Sequence, residues 1–421
     1  MSKFVIKGLN KKLSGEIAVA GSKNAGLKAF AAALLTSDEV ILQNIPEIED
    51  IARMRDLLKA LGAKLESVGD HAFSVQAADS LSTNLSSDIA KRLRSSIVLT
   101  GPLLARFGRV SFPYPGGCVI GKRPIDIFLN GYKKMGAKIK ESVDGGSFEI
   151  SAKRLKGAEI FFRVVSVTGT ETLMMAATLA EGKTVLHNAA QEPEIEILAD
   201  FLKVCGAQIS GAGTNTIIIE GVKKLNGGAF YNPPDRIETG SFAIMGALLG
   251  KNLRITNCVP NQIMSVIDHM TSMGVDTKYG KDWITVSRPK NLLTVDVKTH
   301  EYPGFPTDLQ APFSILLTQA KGMSLLFETI FEGRLGYIED LNRMGANIIA
   351  YDTHRVAISG PTELRGREME SPDLRAGLAF IVAALVANGE SIVHNAYNID
   401  RGYERIEERL RAIGADIRRE A

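Results

Sequence analysis

One cysteine of this chain sits in a glycine-rich, cationic stretch. Cys118 lies in PYPGGCVIGKRP, among Gly116, Gly117, Gly121, Lys122 and Arg123. Adjacent cations lower a thiol pKa and favour the reactive thiolate, so a nucleophile or proton donor is expected there. The other two cysteines read as core. Cys205 precedes Gly206 where equivalent positions hold Leu61, Met135, Met273, Met344 and Ile413. Cys258 follows Asn257 as Ile45 follows Asn44, Ala189 follows Asn188 and Ala396 follows Asn395. Further candidates stand at the starts of apolar segments: Lys23 and Asn24, Arg92 and Arg94, Ser166 with Thr168 and Thr170, Asp235 with Arg236 and Glu238, Asp308, and Asp373 with Arg375. Helix N-termini offer free N–H groups and partial positive charge, so lysine and arginine placed there would hold phosphate and carboxylate. Arg123, Arg334 and Arg401, all in glycine-containing connections, add to that expectation.

A repeat must position these residues. Six times a helix runs into a glycine turn and a short strand, at Gly62, Gly136, Gly206, Gly274, Gly345 and Gly414, with spacings of 74, 70, 68, 71 and 69 residues. An earlier turn precedes each, at Asp38, Gly108, Gly182, Gly250, Gly322 and Gly389, and the paired turns lie 24, 28, 24, 24, 23 and 25 residues apart. The second copy is the long one, and its extra residues fall in the Cys118 loop, as insertions in repeat proteins do. Each copy opens with a helix that is apolar nearly all round, so it is expected to be buried. A β-rich run, an amphipathic helix and further strands follow, as in EILADFLKVCGAQISGAGTNTIIIEG. Three copies per domain give two similar α/β domains, divided near Gly228–Arg236.

Bulk properties narrow the function. The net charge is 50 − 47 = +3 over 421 residues, too small for general nucleic-acid affinity. The longest apolar run, about Ala376–Ala387, is too short to span a bilayer. The beginning of the chain lacks the apolar stretch of a signal peptide. Three scattered cysteines make no disulfide framework, so the cytoplasm is the expected address. The histidines show no metal-ligand spacing, and no metal or cofactor is expected. His187 and His394 occupy equivalent strand positions, which favours a structural reading. GSKNAG is not a Walker loop, and no GxGxxG follows a strand.

With GSKNAGL, LLARFG, PGGCVIGKRPID, SVTGTET, AAQEPEI, PPDRIETG, FPTDLQAPF, ETIFEGR, SPDLRAG and IDRGYERIEERL, the whole chain resembles the UDP-N-acetylglucosamine 1-carboxyvinyltransferases of the EPSP synthase family. The resemblance implies the inside-out α/β barrel of the enolpyruvyl transferases: six βαβαββ-type repeats in two three-repeat domains. One would span 22–229 and carry the loop 112–123; the other would combine 1–21 with 230–421, the active site lying in the cleft between them. It implies transfer of an enolpyruvyl group from phosphoenolpyruvate to the 3-hydroxyl of UDP-N-acetylglucosamine. Residue by residue, it implies that Cys118 donates a proton and Asp308 acts as base. Lys23 and Arg401 would join them as catalytic residues, and Lys23, Asn24, Cys118, Arg123 and Arg401 would hold phosphoenolpyruvate. The UDP-sugar would meet Arg94, Arg123, Pro124, Ile125, Asp126, Ile127, Ser166, Val167, Asp308 and Ile330. Arg334, Asp373 and Arg375 would be further cleft residues. Two positions depart from the family pattern: Val164 stands where some members have lysine, and Thr172 where the SVTGTEN run ends in asparagine. The alternatives are the sister transferase acting on shikimate 3-phosphate, which lacks the PGGC loop, and an inactive paralogue that binds UDP-N-acetylglucosamine.

Overall fold

The six apolar segments are helices, here α1 (Lys23–Ala32), α2 (Thr100–Phe107), α3 (Val167–Ala177), α4 (Arg236–Leu249), α5 (Thr307–Thr318) and α6 (Leu374–Val386). They belong to a computed structural model that describes residues 2–8, 12–85, 88, 90, 93–114, 120–121, 124–142 and 146–421. A 3₁₀ turn, Ala33–Leu35, extends α1, and another, Arg94–Leu99, leads into α2. As expected from their all-round apolar character, these helices are buried along almost their whole length. Four begin on a side-chain cap. Ser22 Oγ accepts from Ala25 N–H at 3.3 Å and Ser166 Oγ from Gly169 N–H at 3.1 Å. Asp235 Oδ1 accepts from Ile237 and Glu238 at 2.7 and 3.0 Å, and Asp373 Oδ1 from Arg375 and Ala376 at 2.8 and 3.1 Å. Each cap contributes about 1 kcal/mol and fixes where the chain turns into the helix.

A strand, an amphipathic helix and a strand pair follow each of the first five buried helices; in place of the strand pair after α6, the single strand Asp416–Glu420 pairs with Lys3–Lys7. All six glycines that end the amphipathic helices have positive φ, from +84° to +109°, a conformation open to glycine at no steric cost. Asparagine serves a second recurring bend. Asn44, Asn188, Asn257 and Asn395 have φ of +51° to +58° at strand ends, which explains why equivalent core residues follow each of them. The Asn44, Asn188 and Asn257 amides donate to carbonyls of Asn232, Phe162 and Val19 at 2.7 to 2.8 Å.

The described residues form five four-stranded sheets and one three-stranded sheet. A representative sheet runs Gln208–Ser210, Thr216–Glu220, Lys183–His187, Glu159–Phe161, antiparallel except for the last pair. The first strand of the chain, Lys3–Lys7, lies between Glu390–His394 and Asp416–Glu420, antiparallel to both. Beginning and end of the polypeptide thus close one sheet.

The chain divides into two compact units. A carboxy-terminal unit comprises Met1–Ala20, Val119–Lys122 and Pro234–Ala421; an amino-terminal unit comprises Gly21–Cys118 and Arg123–Pro233. Each has its own apolar core, built on α1–α3 in one and α4–α6 in the other. The crossings at 20/21 and 233/234 differ from the expected 21/22 and 229/230 for a local reason. Strand Gly228–Tyr231 pairs in parallel with Val40–Gln43, and the Asn232 amide donates to Ser22 O and Asn44 O at 3.0 Å each. The chain therefore stays in the amino-terminal unit through Pro233. Ile120 and Gly121, expected with the Cys118 loop, fall instead in the carboxy-terminal unit, where Ile120 O accepts from Gly333 N–H at 3.0 Å.

Within each unit the buried helices touch at glycine. A Cβ on Gly101 of α2 would lie 2.5 Å from Thr172 O of α3, and one on Gly240 of α4 would lie 2.2 Å from Leu309 of α5. In the carboxy-terminal unit Glu238, at the start of α4, receives Arg409 on both oxygens at 2.7 and 2.9 Å, together with Ala20 N–H at 2.7 Å. That buried pair ties the last helix, Ile406–Ala412, to the end of the N-terminal segment.

Candidate functional site

The carboxy-terminal unit gathers its candidate residues around one carboxylate. Asp308 lies in the first turn of α5, where an anion is favoured by the helix end. Its Oδ1 accepts from Arg334 Nη2 at 2.7 Å; its Oδ2 accepts from Arg375 Nη2 at 2.8 Å and Nε at 3.1 Å. Both guanidiniums are 6% exposed and the carboxylate is 27% exposed, so the cations lie deeper than the anion they hold. Arg375 stands two residues into α6 behind its Asp373 cap. Its Nη1 donates to Tyr403 Oη at 3.1 Å. Ser241 Oγ donates to Ile237 O at 2.8 Å and lies 3.2 Å from Tyr403 Oη, so the tyrosine hydroxyl donates to the serine. Burial opposes the Arg375 charge, but the Asp308 carboxylate, Tyr403 and Asp235 outweigh it and hold the pKa above its ordinary value. Burial likewise raises the Tyr403 phenol, which stays neutral.

A second line of hydrogen bonds fixes Arg334. Its Nη1 donates to Thr307 Oγ1 at 2.7 Å, and that hydroxyl donates to Glu328 Oε2 at 2.8 Å. Glu328 is fully buried, and its Oε1 accepts from the N–H groups of Ile330 and Phe331 at 2.8 and 3.1 Å. Ile330 is thus held by the same network as Asp308. Arg401 caps the short helix Tyr397–Asp400 and is half-buried.

The amino-terminal unit places its candidates at the starts of its own buried helices. Lys23 and Asn24 open α1, and Lys23 Nζ lies 3.0 Å from Asp50 Oδ2, the lysine 14% and the aspartate 5% exposed. Arg94 opens the 3₁₀ turn before α2 and is half-buried. Ser166 caps α3, and Val167 is its first residue. Pro124 and Ile125 lead into the helix Asp126–Lys134. Ile127 comes close to the start of α3, since a Cβ on Gly169 would meet its Cγ2 at 3.0 Å. Cys118, Arg123 and Arg92 lie outside the described residues. Of the two departing positions, Val164 is 64% exposed just before α3, whereas Thr172 is fully buried inside it. Cys205 and Cys258 are core residues, as read from the repeat; burial pushes both thiols up to about 11. His187 and His394 each face a glutamate on the neighbouring parallel strand, Glu159 at 2.8 Å and Glu368 at 3.6 Å.

Several partners escaped the sequence reading. Thr307, Glu328 and Tyr403 carry no signal beyond adjacency to Asp308, ETIFEGR and IDRGYER. Lys28 of α1 and Glu171 of α3 form a buried pair at 2.8 Å, with Glu171 fully buried. Beyond Lys28, neither Glu171 oxygen meets a hydrogen-bond donor. Burial pushes the Glu171 carboxyl up to about 7; Lys28 opposes this, while Glu194 and Glu192 add to it.

The comparisons with known proteins agree along the full chain. The family described as EPSP synthase (3-phosphoshikimate 1-carboxyvinyltransferase) matches residues 8–410. A UDP-N-acetylglucosamine 1-carboxyvinyltransferase of Acidobacterium capsulatum is 48% identical, covering 100% of this chain and 96% of the relative. Its counterpart in Coxiella burnetii is 42% identical over 100% of this chain and 96% of the relative. Among solved structures, the enolpyruvyl transferase NikO from Streptomyces tendae aligns with a TM-score of 0.89 at 26% identity, covering 99% of this chain and 98% of that one. EPSP synthase from Acinetobacter baumannii aligns at 0.77 with 19% identity over 100% of both chains, a likeness of fold. The expected enolpyruvyl transferase fold is borne out.

Glu171 makes stability depend on pH in a defined direction. Between the ordinary carboxylate range and about pH 7 the folded protein keeps a proton that the unfolded chain has lost. Its stabilising contribution is therefore complete below about pH 4.5 and disappears as pH rises through about 7. Urea unfolding of the wild type and of Glu171→Gln across that window should show the wild type losing ground to the variant as pH rises. A stability difference that does not change with pH would contradict the assignment.

Proposed function

The chain belongs to the EPSP synthase family, and from that membership we propose that it transfers the enolpyruvyl group of phosphoenolpyruvate to the 3-hydroxyl of UDP-N-acetylglucosamine. Phosphate is released, and the reaction is the first committed step of peptidoglycan synthesis. One observation carries the choice of acceptor: relatives bearing that activity in their names are 41% to 48% identical over essentially the whole chain. The PGGC loop supports the same choice against the shikimate 3-phosphate transferases. Retention of Lys23, Cys118, Arg123, Asp308 and Arg401 speaks against an inactive paralogue.

The roles follow from the chemistry of the substrates. Phosphoenolpyruvate carries a phosphate and a carboxylate, and Lys23, Arg123 and Arg401, with Asn24, offset that charge and fix its pose. Cys118 gives its proton to C3, which leaves C2 electron-poor. The sugar 3-oxygen attacks C2 as Asp308 takes its proton. Loss of phosphate from the resulting tetrahedral carbon, with return of a proton from the new methyl group, yields the enol ether. An acid and a base so placed each contribute about 10²–10⁴-fold. The fork from Arg334 and Arg375 supports the base role by fixing where the Asp308 oxygens point. Pro124, Ile125, Asp126, Ile127, Ser166, Val167 and Ile330, with Arg94, serve the UDP-sugar; Asp373 acts through Arg375. We place the reaction in the cytoplasm, consistent with unpaired, buried Cys205 and Cys258. Among the described residues no helix is long and apolar enough to cross a membrane.

Phosphate release tests the acceptor. With phosphoenolpyruvate present, UDP-N-acetylglucosamine should drive release and shikimate 3-phosphate should not; the reverse pattern would overturn the proposal. The cysteine role has its own test. Fosfomycin, an epoxide resembling phosphoenolpyruvate, should add once, at Cys118. Cys205 and Cys258 stay unmodified because their thiols are buried and protonated at neutral pH. Peptide mapping that finds no adduct, or one on either buried cysteine, would contradict it.

A further inference from the structure

At the ends of α1–α3 opposite to the candidate residues, the amino-terminal unit has a cavity of about 1230 Å³. Its floor includes Leu35, Leu104 and Phe107, where the 3₁₀ extension of α1 and the end of α2 arrive. Lys23 and Leu35 bracket the first of these, so the cavity lies about 18 Å from the start of α1 at 1.5 Å per residue.

The rim is strongly cationic. Arg106 is built into the wall: its Nη1 donates to Leu34 O at 3.1 Å and Thr36 O at 3.0 Å, and its Nη2 to Ala77 O at 3.0 Å and Asp79 Oδ1 at 2.9 Å. Seven further cations are exposed. Arg109 and Lys138 begin strands; Lys153, Arg154 and Lys156 follow one strand; Lys223 and Lys224 follow another. Among the described residues none of the seven forms an ion pair. Eight cations face two acids, Asp38 and Asp79, so the cavity holds 8 − 2 = +6 while the whole chain holds +3. The C-terminal ends of three helices offset only about 1.5 of that excess, at roughly half a charge each.

The repeat shows that the scaffold does not require these charges. At each glycine turn one N–H returns to the residue before the glycine: Ser82 to Leu61, Lys156 to Met135, Asn226 to Cys205, Leu293 to Met273, Arg365 to Met344 and Ser14 to Ile413, at 2.7 to 3.0 Å. A buried leucine precedes each donor, so the two positions before that leucine are equivalent in every copy. They hold Asp79-Ser80, Lys153-Arg154 and Lys223-Lys224 in the amino-terminal unit, and Lys11-Lys12, Lys290-Asn291 and Thr362-Glu363 in the carboxy-terminal unit. The same turn forms with one cation or with an acid.

We propose that the basic cavity is a second binding site, for a compact oligophosphate anion, separate from the groups assigned to enolpyruvyl transfer. Several cations converging from three turns suit a ligand whose charges are close together. The concave shape favours a small molecule over an extended acidic segment.

Isothermal titration of the full chain with inorganic tripolyphosphate, and separately with adenosine triphosphate, both without divalent metal at physiological ionic strength, tests this. Saturable binding of tripolyphosphate is expected. Tighter binding of the nucleotide would identify the source as a nucleoside polyphosphate, and equal binding a free oligophosphate. The paired changes Lys153→Glu with Arg154→Glu, and Lys223→Glu with Lys224→Glu, should each weaken binding at least about tenfold. Lys290→Glu, at the equivalent turn of the other unit, should leave it unchanged. All these positions are exposed, and an unaltered unfolding midpoint verifies the fold. No binding of either probe, equal weakening by Lys290→Glu, or binding only of an oligoglutamate peptide would overturn the proposal.

Discussion

A carboxylate gripped by two buried guanidiniums organises the carboxy-terminal unit. Burying two arginines costs several kcal/mol each unless their hydrogens are met, and Asp308 meets them from both sides. The consequences spread outward. Arg334 is aligned only because Thr307 and Glu328 are, and Arg375 only because Tyr403 and the start of α6 are. Replacing either cation disturbs the direction of the carboxylate before it disturbs the fold. That is the property required of a base which must meet one particular hydroxyl.

The buried helices have chemically different ends. Their starts carry Ser22, Ser166, Asp235 and Asp373 as caps, the first three followed at once by Lys23, Val167 and Arg236 and the last by Leu374 and Arg375. Capping consumes only some of the free N–H groups and leaves the positive end of the dipole available. In the amino-terminal unit the far ends are closed by apolar side chains and by Arg106, which satisfies carbonyls from separate segments. One helix layer thus separates two cationic regions about a dozen residues apart along α1. The proposed functions of these regions are independent.

Much of this was legible in the sequence because the repeat supplies six views of one unit. The buried helices, the glycine turns and the core placement of Cys205 and Cys258 all follow from comparing copies. What the sequence hid was pairing across distance. Lys28 reads as an ordinary helix charge until α3 brings Glu171 to it. Thr307 and Glu328 acquire meaning only through Arg334. The cationic rim escaped notice because its members are scattered from Arg106 to Lys224 on different turns, with no local run long enough to signal a patch. The crossing at 233/234 was misplaced by four residues because the pairing of Gly228–Tyr231 with Val40–Gln43 is a long-range fact.

The central claim is that the arginine fork orients Asp308 for proton removal, and Arg375→Lys addresses it most directly. Lysine keeps the positive charge but has no planar fork with which to approach a carboxylate along two N–H bonds. Steady-state phosphate release with both substrates, read as separate kcat and KM values, decides it. The account predicts a fall in kcat of more than about tenfold, with both KM values within about threefold and the unfolding midpoint nearly unchanged. A variant that turns over at the wild-type rate would show that the orientation of Asp308 is not what the reaction depends on.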